Sequence, residues 1–144
     1  MKKQSPPSMF SGWIFDAETN DIGIVKSKFS YEDIVRILQS DIIHFVVFDT
    51  PEGAFRIWYN IDTRKQFFYN ESAQNVLEKI THKWPSFHGN FLITYLGKPA
   101  NLKSDLDLPL NMSIEDCKIP MNMPKISLTQ FVDACNLSIE KRNA

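Results

Sequence analysis

Three histidines are the residues of this chain best suited to proton transfer near neutral pH or to binding a metal ion. His44 lies inside an apolar run, where a buried or edge-facing structural histidine is expected. His82 falls near the end of a predicted helix, whose last carbonyl groups it can bind. His88 precedes a glycine in a loop and is the most accessible of the three. None of them stands at a metal-binding spacing from another histidine, a cysteine or a carboxylate, so the sequence predicts no metal site.

The sequence contains neither a G-x-S-x-G nucleophile motif nor a glycine-rich loop that could bind phosphate. The residues around Cys117 and Cys135 do not indicate an activated thiol, and two cysteines do not make a disulfide framework. We therefore expect no cofactor and favour a protein that is not an enzyme. The alternative that stays open is an enzyme whose site forms in three dimensions from His88, Asp49 and Cys117.

Carboxylates interleaved with apolar residues mark one predicted loop. Asp105 and Asp107 flank a leucine, and Glu115 and Asp116 follow a few residues later. Such a group could hold Mg²⁺ or supply an acid and a base, or it could keep an apolar loop soluble. Acidic and apolar residues on an extended segment also suit docking against a basic protein surface. These four residues are therefore candidate partner-binding residues.

A second candidate surface is one face of a predicted strand, which carries Arg56, Trp58 and Asn60. Tryptophan and arginine are enriched at the energetic centres of protein interfaces. A tryptophan on a strand can equally be covered by its own protein, and both interpretations are kept.

Length and composition predict one globular domain, because 144 residues with 43% hydrophobic and 23% charged residues are ordinary values for a folded domain. The 16 basic and 17 acidic residues are scattered, whereas binding to nucleic acid needs clustered positive charge. A nucleic-acid partner is therefore disfavoured.

No apolar run is long enough to span a bilayer, and residues 1–9 lack the apolar core of a signal peptide. We expect a cytoplasmic protein with a disordered lead-in over 1–9 and one domain over 10–144.

Alternation and turn residues predict the elements in the order ββ-α-βββ-α-β, then a long loop and a last helix. A hairpin formed by 13–15 and 22–25 precedes a helix over 31–38. Residues 41–49, apolar on both sides, predict a central strand, and 54–60 and 66–69 complete a meander. A helix over 72–84 and a strand over 89–97 follow.

The predicted loop over 98–125 contains four prolines and is unusually long for a compact domain. Its leucines and methionines predict an extended surface segment whose apolar side chains turn inward. The last helix begins at a capping box formed by Ser127 and Gln130, with Ile126 and Phe131 as a hydrophobic staple. Runs of strands separated by helices predict an α+β domain with a mainly antiparallel sheet and helices packed on one face.

Together these features favour a small protein-binding domain. The preferred hypothesis is an inhibitor or immunity-type protein that occludes a partner with a basic surface, such as a toxin or nuclease. We expect a monomer or a weak homodimer. The alternative is a small homodimeric chaperone or adaptor for client peptides, which could use an exposed edge strand such as 13–15.

Overall fold

The computed structural model describes residues 10–26, 31–62, 66–81, 87–97 and 122–143. Within these ranges the chain forms the strands β1 (Gly12–Phe15), β2 (Ile22–Val25), β3 (Ile43–Thr50), β4 (Gly53–Asn60) and β5 (Phe91–Tyr95). The helices are α1 (Tyr31–Leu38), α2 (Glu71–Leu77) and α3 (Leu128–Asn143). One antiparallel sheet with three helices confirms the predicted α+β class. The predicted lead-in over 1–9 and most of the loop over 98–125 lie outside the described residues.

The sheet joins two hairpins through the last strand. Its order is β2-β1-β5-β4-β3, and β5 pairs with β1 on one side and with β4 on the other. The sequence predicts an exposed edge at 13–15 and a central strand at 41–49, and both predictions are wrong. Since β5 covers β1, the hairpin exposes β2 instead. β3 pairs with β4 alone among the described strands, so it lies at the opposite edge.

The two faces of the sheet carry separate apolar clusters. On one face Val46, Phe48 and Ile57 pack under α2 and α3. On the other face, α1 packs through Ile34 and Leu38. The expectation that all helices pack on one face is therefore wrong. Because β3 and β4 direct apolar side chains to both sides, each side of the sheet needs a helix to cover it.

Residues 66–69 do not form the predicted third strand of the meander. Tyr69 makes an isolated bridge with His88, beside a hydrogen bond from the Asn70 N–H to the Phe87 carbonyl at 2.8 Å. The side-chain Oδ1 of Asn70 then caps α2 by accepting the N–H of Ala73 at 2.9 Å. The chain leaves the extended conformation here because the capping residue must start the first helical turn.

The last helix begins as its sequence predicts. The Ser127 N–H donates to Gln130 Oε1 at 2.7 Å, and the Gln130 N–H donates to Ser127 Oγ at 3.1 Å. Just before it, Met123 is buried and its N–H donates to the carbonyl of Phe10 at 2.8 Å. The described end of the long loop thus packs against the start of the sheet. Among the described helices, none combines the length and apolar character needed to cross a membrane.

Candidate functional site

A cleft of about 340 Å³ opens where β1 ends and β5 begins, and we call it the end cleft. Four separate segments line it: Asp16, Ala17 and Glu18 after β1, Gln39 after α1, Gln66, Phe67 and Phe68 before α2, and Gly89 and Asn90 before β5. Its volume lies near the lower end of the range of about 300–1,000 Å³ that is usual for ligand sites.

The carboxylate of Asp16 shapes the turn between β1 and β2. Its Oδ1 accepts the backbone N–H groups of Glu18 at 2.9 Å and Thr19 at 3.1 Å, which is how aspartate nucleates a turn. Asn20 completes the turn at a φ of 63°, a left-handed conformation that asparagine tolerates. Asp16 Oδ2 and the carboxylate of Glu18 make no hydrogen bond to any residue that the structure describes.

Asn90 holds two walls of the end cleft together. Its Oδ1 accepts the N–H of Ala17 at 2.8 Å, and its Nδ2 donates to the carbonyl of Ile37 at 2.8 Å. The last turn of α1 closes in a Schellman motif whose left-handed position is occupied by Gln39, at a φ of 59°. A non-glycine residue in this conformation lowers the free energy of unfolding by roughly 1–2 kcal/mol. Gln39, beside the cleft, therefore destabilises the fold.

Gly89 lines the end cleft at a position that only glycine fits. Its φ is +83°, and a Cβ would lie 2.6 Å from Asn60 Nδ2 and 3.1 Å from Phe67 Cγ. The buried amide of Asn70 fixes this segment, because its Nδ2 donates to the carbonyl groups of Gly89 at 2.8 Å and Phe15 at 2.9 Å. One side chain therefore connects the end of β1, the approach to β5 and the start of α2.

The described residues of the end cleft carry negative charge. Among the described residues that line it, the charged ones are Asp16 and Glu18. Asp21 and Glu71 add two exposed carboxylates at the same end of the protein, where α2 begins beside the β1–β2 turn. Within the described part of the chain, none of these four carboxylates has an ion-pair partner. The described part of the surface around the cleft thus carries negative charge, which attracts cations.

The end cleft also presents an aromatic ring to solvent. The side chain of Phe68 is 66% exposed. An aromatic face attracts a cation through its quadrupole, and a carboxylate binds the same cation through charge and hydrogen bonds. The residues of this cleft can thus bind an ammonium or guanidinium group. Comparison of the chain with protein-family models, with curated proteins and with solved structures gives no match.

The face that carries Arg56, Trp58 and Asn60 is the one that α1 partly covers. Trp58 is only 1% exposed, and its Nε1 donates to Thr94 Oγ1 at 2.8 Å. Trp58 is therefore covered by its own protein in the single chain, and its role in binding a partner stays a prediction. Arg56 is half-buried, with its guanidinium carbon 4.6 Å from the centroid of the Phe45 ring. Asn60 is half-buried and donates from Nδ2 to the His88 carbonyl at 3.2 Å.

Several predicted site residues lie outside the described residues: Asp105, Asp107, Glu115 and Asp116, as well as His82 and Cys117. The role of the acidic loop stays a prediction.

Cys135 is buried in the cluster under α3. His44 is half-buried on β3, with its ring centroid 6.1 Å from that of Tyr59, as expected of a structural histidine. In the described part of the chain, no three His, Cys, Asp or Glu side chains form a group that could hold a metal ion.

The two described members of the proposed enzyme site are far apart. His88 lies near the end of β4, where its carbonyl accepts a hydrogen bond from Asn60. Asn60 is opposite Ile43 in the ladder, and Asp49 lies six residues further along β3, counted from 43 to 49. At about 3.3 Å per residue, the separation between Ile43 and Asp49 along β3 is roughly 20 Å. His88 and Asp49 therefore do not share one site.

Sequence reasoning does not find the end cleft. Its residues come from four segments that read separately as turns or as part of a strand, and only the sheet order brings them together. Two local signals point toward it. The turn over 16–21 holds three acidic residues without a basic one, and two consecutive phenylalanines at 67 and 68 cannot both face a core from an extended chain.

Proposed function

We propose that the chain is a protein-binding domain whose end cleft receives a lysine or arginine side chain from a basic surface of its partner. The observation that carries this proposal is the presence of Asp16, Glu18 and the exposed ring of Phe68 in one cleft. Arginine suits the site best, because its planar guanidinium can stack on a ring and donate two hydrogen bonds to a carboxylate.

A partner protein fits this surface better than a small cation does. The negative charge extends beyond the end cleft to Asp21 and Glu71, both of which are exposed. A spread of like charge attracts a larger basic surface and raises its association rate, whereas a small ligand needs only the charge inside its pocket. This supports the class expected from the sequence, an inhibitor or immunity-type protein that occludes a basic toxin or nuclease. The contact proposed here lies at the end cleft, whereas the sequence predicts it on the β4 face and the acidic loop.

Neutralising the cleft tests the proposal. The probe is a short peptide of alternating arginine and glycine, and a peptide with glutamine in place of arginine is the reference. Isothermal titration calorimetry gives the dissociation constants. The Asp16→Asn/Glu18→Gln variant keeps the Oδ1 acceptor of the turn but removes both charges, and we expect it to weaken binding about 5- to 10-fold.

A second pair of substitutions separates the end cleft from the overall charge. Asp133→Asn/Glu140→Gln also removes two exposed carboxylates, but from α3, and should leave the affinity within about 2-fold because distant surface charges are screened. Phe68→Ala should weaken binding about 2- to 5-fold, the usual contribution of an exposed ring to a cation. Equal losses for the cleft pair and the α3 pair would contradict the proposal.

A further inference from the structure

The side chain of Asn90 makes two hydrogen bonds that connect distant parts of the chain. Its Oδ1 accepts the N–H of Ala17 in the turn after β1, and its Nδ2 donates to the carbonyl of Ile37 in α1, both at 2.8 Å. These partners lie 73 and 53 positions away in the sequence. The carboxamide supplies both an acceptor and a donor, whereas an aspartate at this position could make only the first bond.

The bond to Ile37 supports the last turn of α1. In the closing Schellman motif the N–H groups of Gln39 and Ser40 bond back to carbonyl groups of the helix, both at 3.2 Å. The carbonyl of Ile37 lies in the same turn and accepts from Asn90. α1 has only eight residues, and helices shorter than about 12–15 residues are marginal without tertiary contacts. The last turn of α1 therefore depends on contacts such as this one.

Gln39 makes this turn sensitive to the state of the end cleft. It lines the cleft and has a φ of 59°, a conformation that a non-glycine residue adopts at a cost in stability. Strained segments at the end of an element open more readily than the core of a fold does. A small stabilisation that comes from the cleft would therefore change how often this turn opens.

The bond to Ala17 fixes the part of the β1–β2 turn that carries the charges of the cleft. Ala17 lies between Asp16 and Glu18 and is only 6% exposed, so the loss of this bond would leave a poorly solvated N–H and destabilise the turn. Because one residue separates the two carboxylates, the orientation of its backbone sets their distance and direction.

We propose that Asn90 positions the end cleft and couples it to α1, so that a cation bound by Asp16 and Glu18 stabilises the last turn of the helix. This inference rests on the proposed function, since it takes the cationic side chain as the ligand. A cation that bridges the two carboxylates fixes the backbone at Ala17, and through the Asn90 amide it fixes the carbonyl of Ile37. The coupling is reciprocal, because a loosened helix end weakens binding by the same free energy.

Amide hydrogen exchange followed by NMR measures the coupling in the intact protein. With the arginine–glycine peptide at saturation, we expect exchange of the Gln39 and Ser40 amides to slow about 5-fold, at the lower end of the usual coupling between linked sites. The amide of Phe131, which donates to the Ser127 carbonyl at the start of α3, should exchange at the same rate with and without peptide. If the peptide binds and the two α1 amides do not respond, the inference is overturned while the proposed function stands.

Asn136 supplies a matched control, because it makes the same pair of bonds away from the end cleft. Its Oδ1 accepts the N–H of Thr81 at 2.6 Å, and its Nδ2 donates to the carbonyl of Lys79 at 2.9 Å. Asn90→Ala should weaken peptide binding at least about 5-fold by calorimetry, whereas Asn136→Ala should leave the dissociation constant within about 2-fold. Equal losses would mean that Asn90 acts through general stability alone, and would overturn the inference.

Asn90→Asp separates the two bonds and decides the matter if Asn90→Ala fails to fold by circular dichroism. The carboxylate keeps the acceptor for the Ala17 N–H but cannot donate to the Ile37 carbonyl. We expect this variant to bind the peptide at least as tightly as the unsubstituted protein, since it adds negative charge to the cleft. Exchange of its Gln39 and Ser40 amides should no longer respond to the peptide, and an unchanged response would overturn the coupling. An unsubstituted protein that does not bind the peptide removes the proposed function and this inference with it.

Discussion

The buried side-chain amide of Asn70 donates a hydrogen bond to the carbonyl of Gly89 at 2.8 Å. Through this contact the start of α2 is fixed to the segment that lines the end cleft. All hydrogen-bonding capacity of the Asn70 amide is used, since Nδ2 also bonds the Phe15 carbonyl and Oδ1 accepts from Ser72 Oγ and the Ala73 N–H. The geometry of the cleft therefore depends on a residue that a ligand would not touch.

Asn70→Ala is expected to lower the free energy of unfolding by roughly 2–4 kcal/mol. The substitution removes the cap of α2 and the hydrogen bonds that Asn70 Nδ2 donates to the carbonyl groups of Phe15 and Gly89. Urea denaturation followed by circular dichroism measures the change. Asn75→Ala, at an exposed position of the same helix, should change stability by less than about 0.5 kcal/mol, and a similar loss for both variants would contradict this role of Asn70.

Gly89→Ala is expected to destabilise the protein by roughly 2–3 kcal/mol, because alanine is strained at a φ of +83° and its Cβ would meet Asn60 and Phe67. Gly23→Ala is the matched control, since nothing lies within 4 Å of the added methyl group. There the effect should be small or stabilising by up to about 1 kcal/mol. Thermal unfolding of both variants checks the difference, and equal melting temperatures would refute it.

Trp58 and Thr94 are expected to be coupled by about 1 kcal/mol in a double-mutant cycle of Trp58→Phe and Thr94→Val. The cycle isolates the hydrogen bond from Nε1 to Oγ1, which is buried between β4 and β5. Trp58→Phe should also leave the affinity for the arginine peptide unchanged, because the indole is covered by α1. A coupling energy near zero, or a loss of binding with stability intact, would contradict the assignment of Trp58 to the core.

Stability is expected to fall as the pH rises above 10. Burial raises the pKa of Tyr59 above its ordinary value of 10.0, so the folded protein holds this proton more tightly than the unfolded chain does. The stability that this difference in pKa contributes is fully present below pH 10 and is lost as the pH rises through the pKa of Tyr59 in the folded state. Tyr59→Phe should therefore show a smaller decline in urea-derived stability. Some decline remains from Tyr95, whose pKa is raised by burial and by the charge of Glu52. An identical decline in both proteins would exclude Tyr59 as a cause.

Local patterns predict local structure well in this chain. The alternation of β4 places Phe55 and Ile57 on one face and Trp58 on the other, as the structure has them, and the capping box at Ser127 starts α3. These features depend on neighbours within a few residues. The position of β5 between β1 and β4 depends on pairing over about 80 residues, which local patterns do not specify. The end cleft follows from that pairing, so it could not be predicted.

Chemical-shift mapping of the arginine peptide on the labelled protein tests the central claim most directly. If the end cleft binds the cationic side chain, the largest saturable shifts should fall on the backbone amides of Ala17, Glu18 and Asn90, and Asp16→Asn/Glu18→Gln should raise the peptide concentration needed to reach half of each shift by about 5- to 10-fold. The α3 amides of Asp133 and Glu140 should stay in place. Shifts that are largest on α3, or that saturate at the same peptide concentration in the neutralised variant, would contradict the claim that this cleft is the binding site.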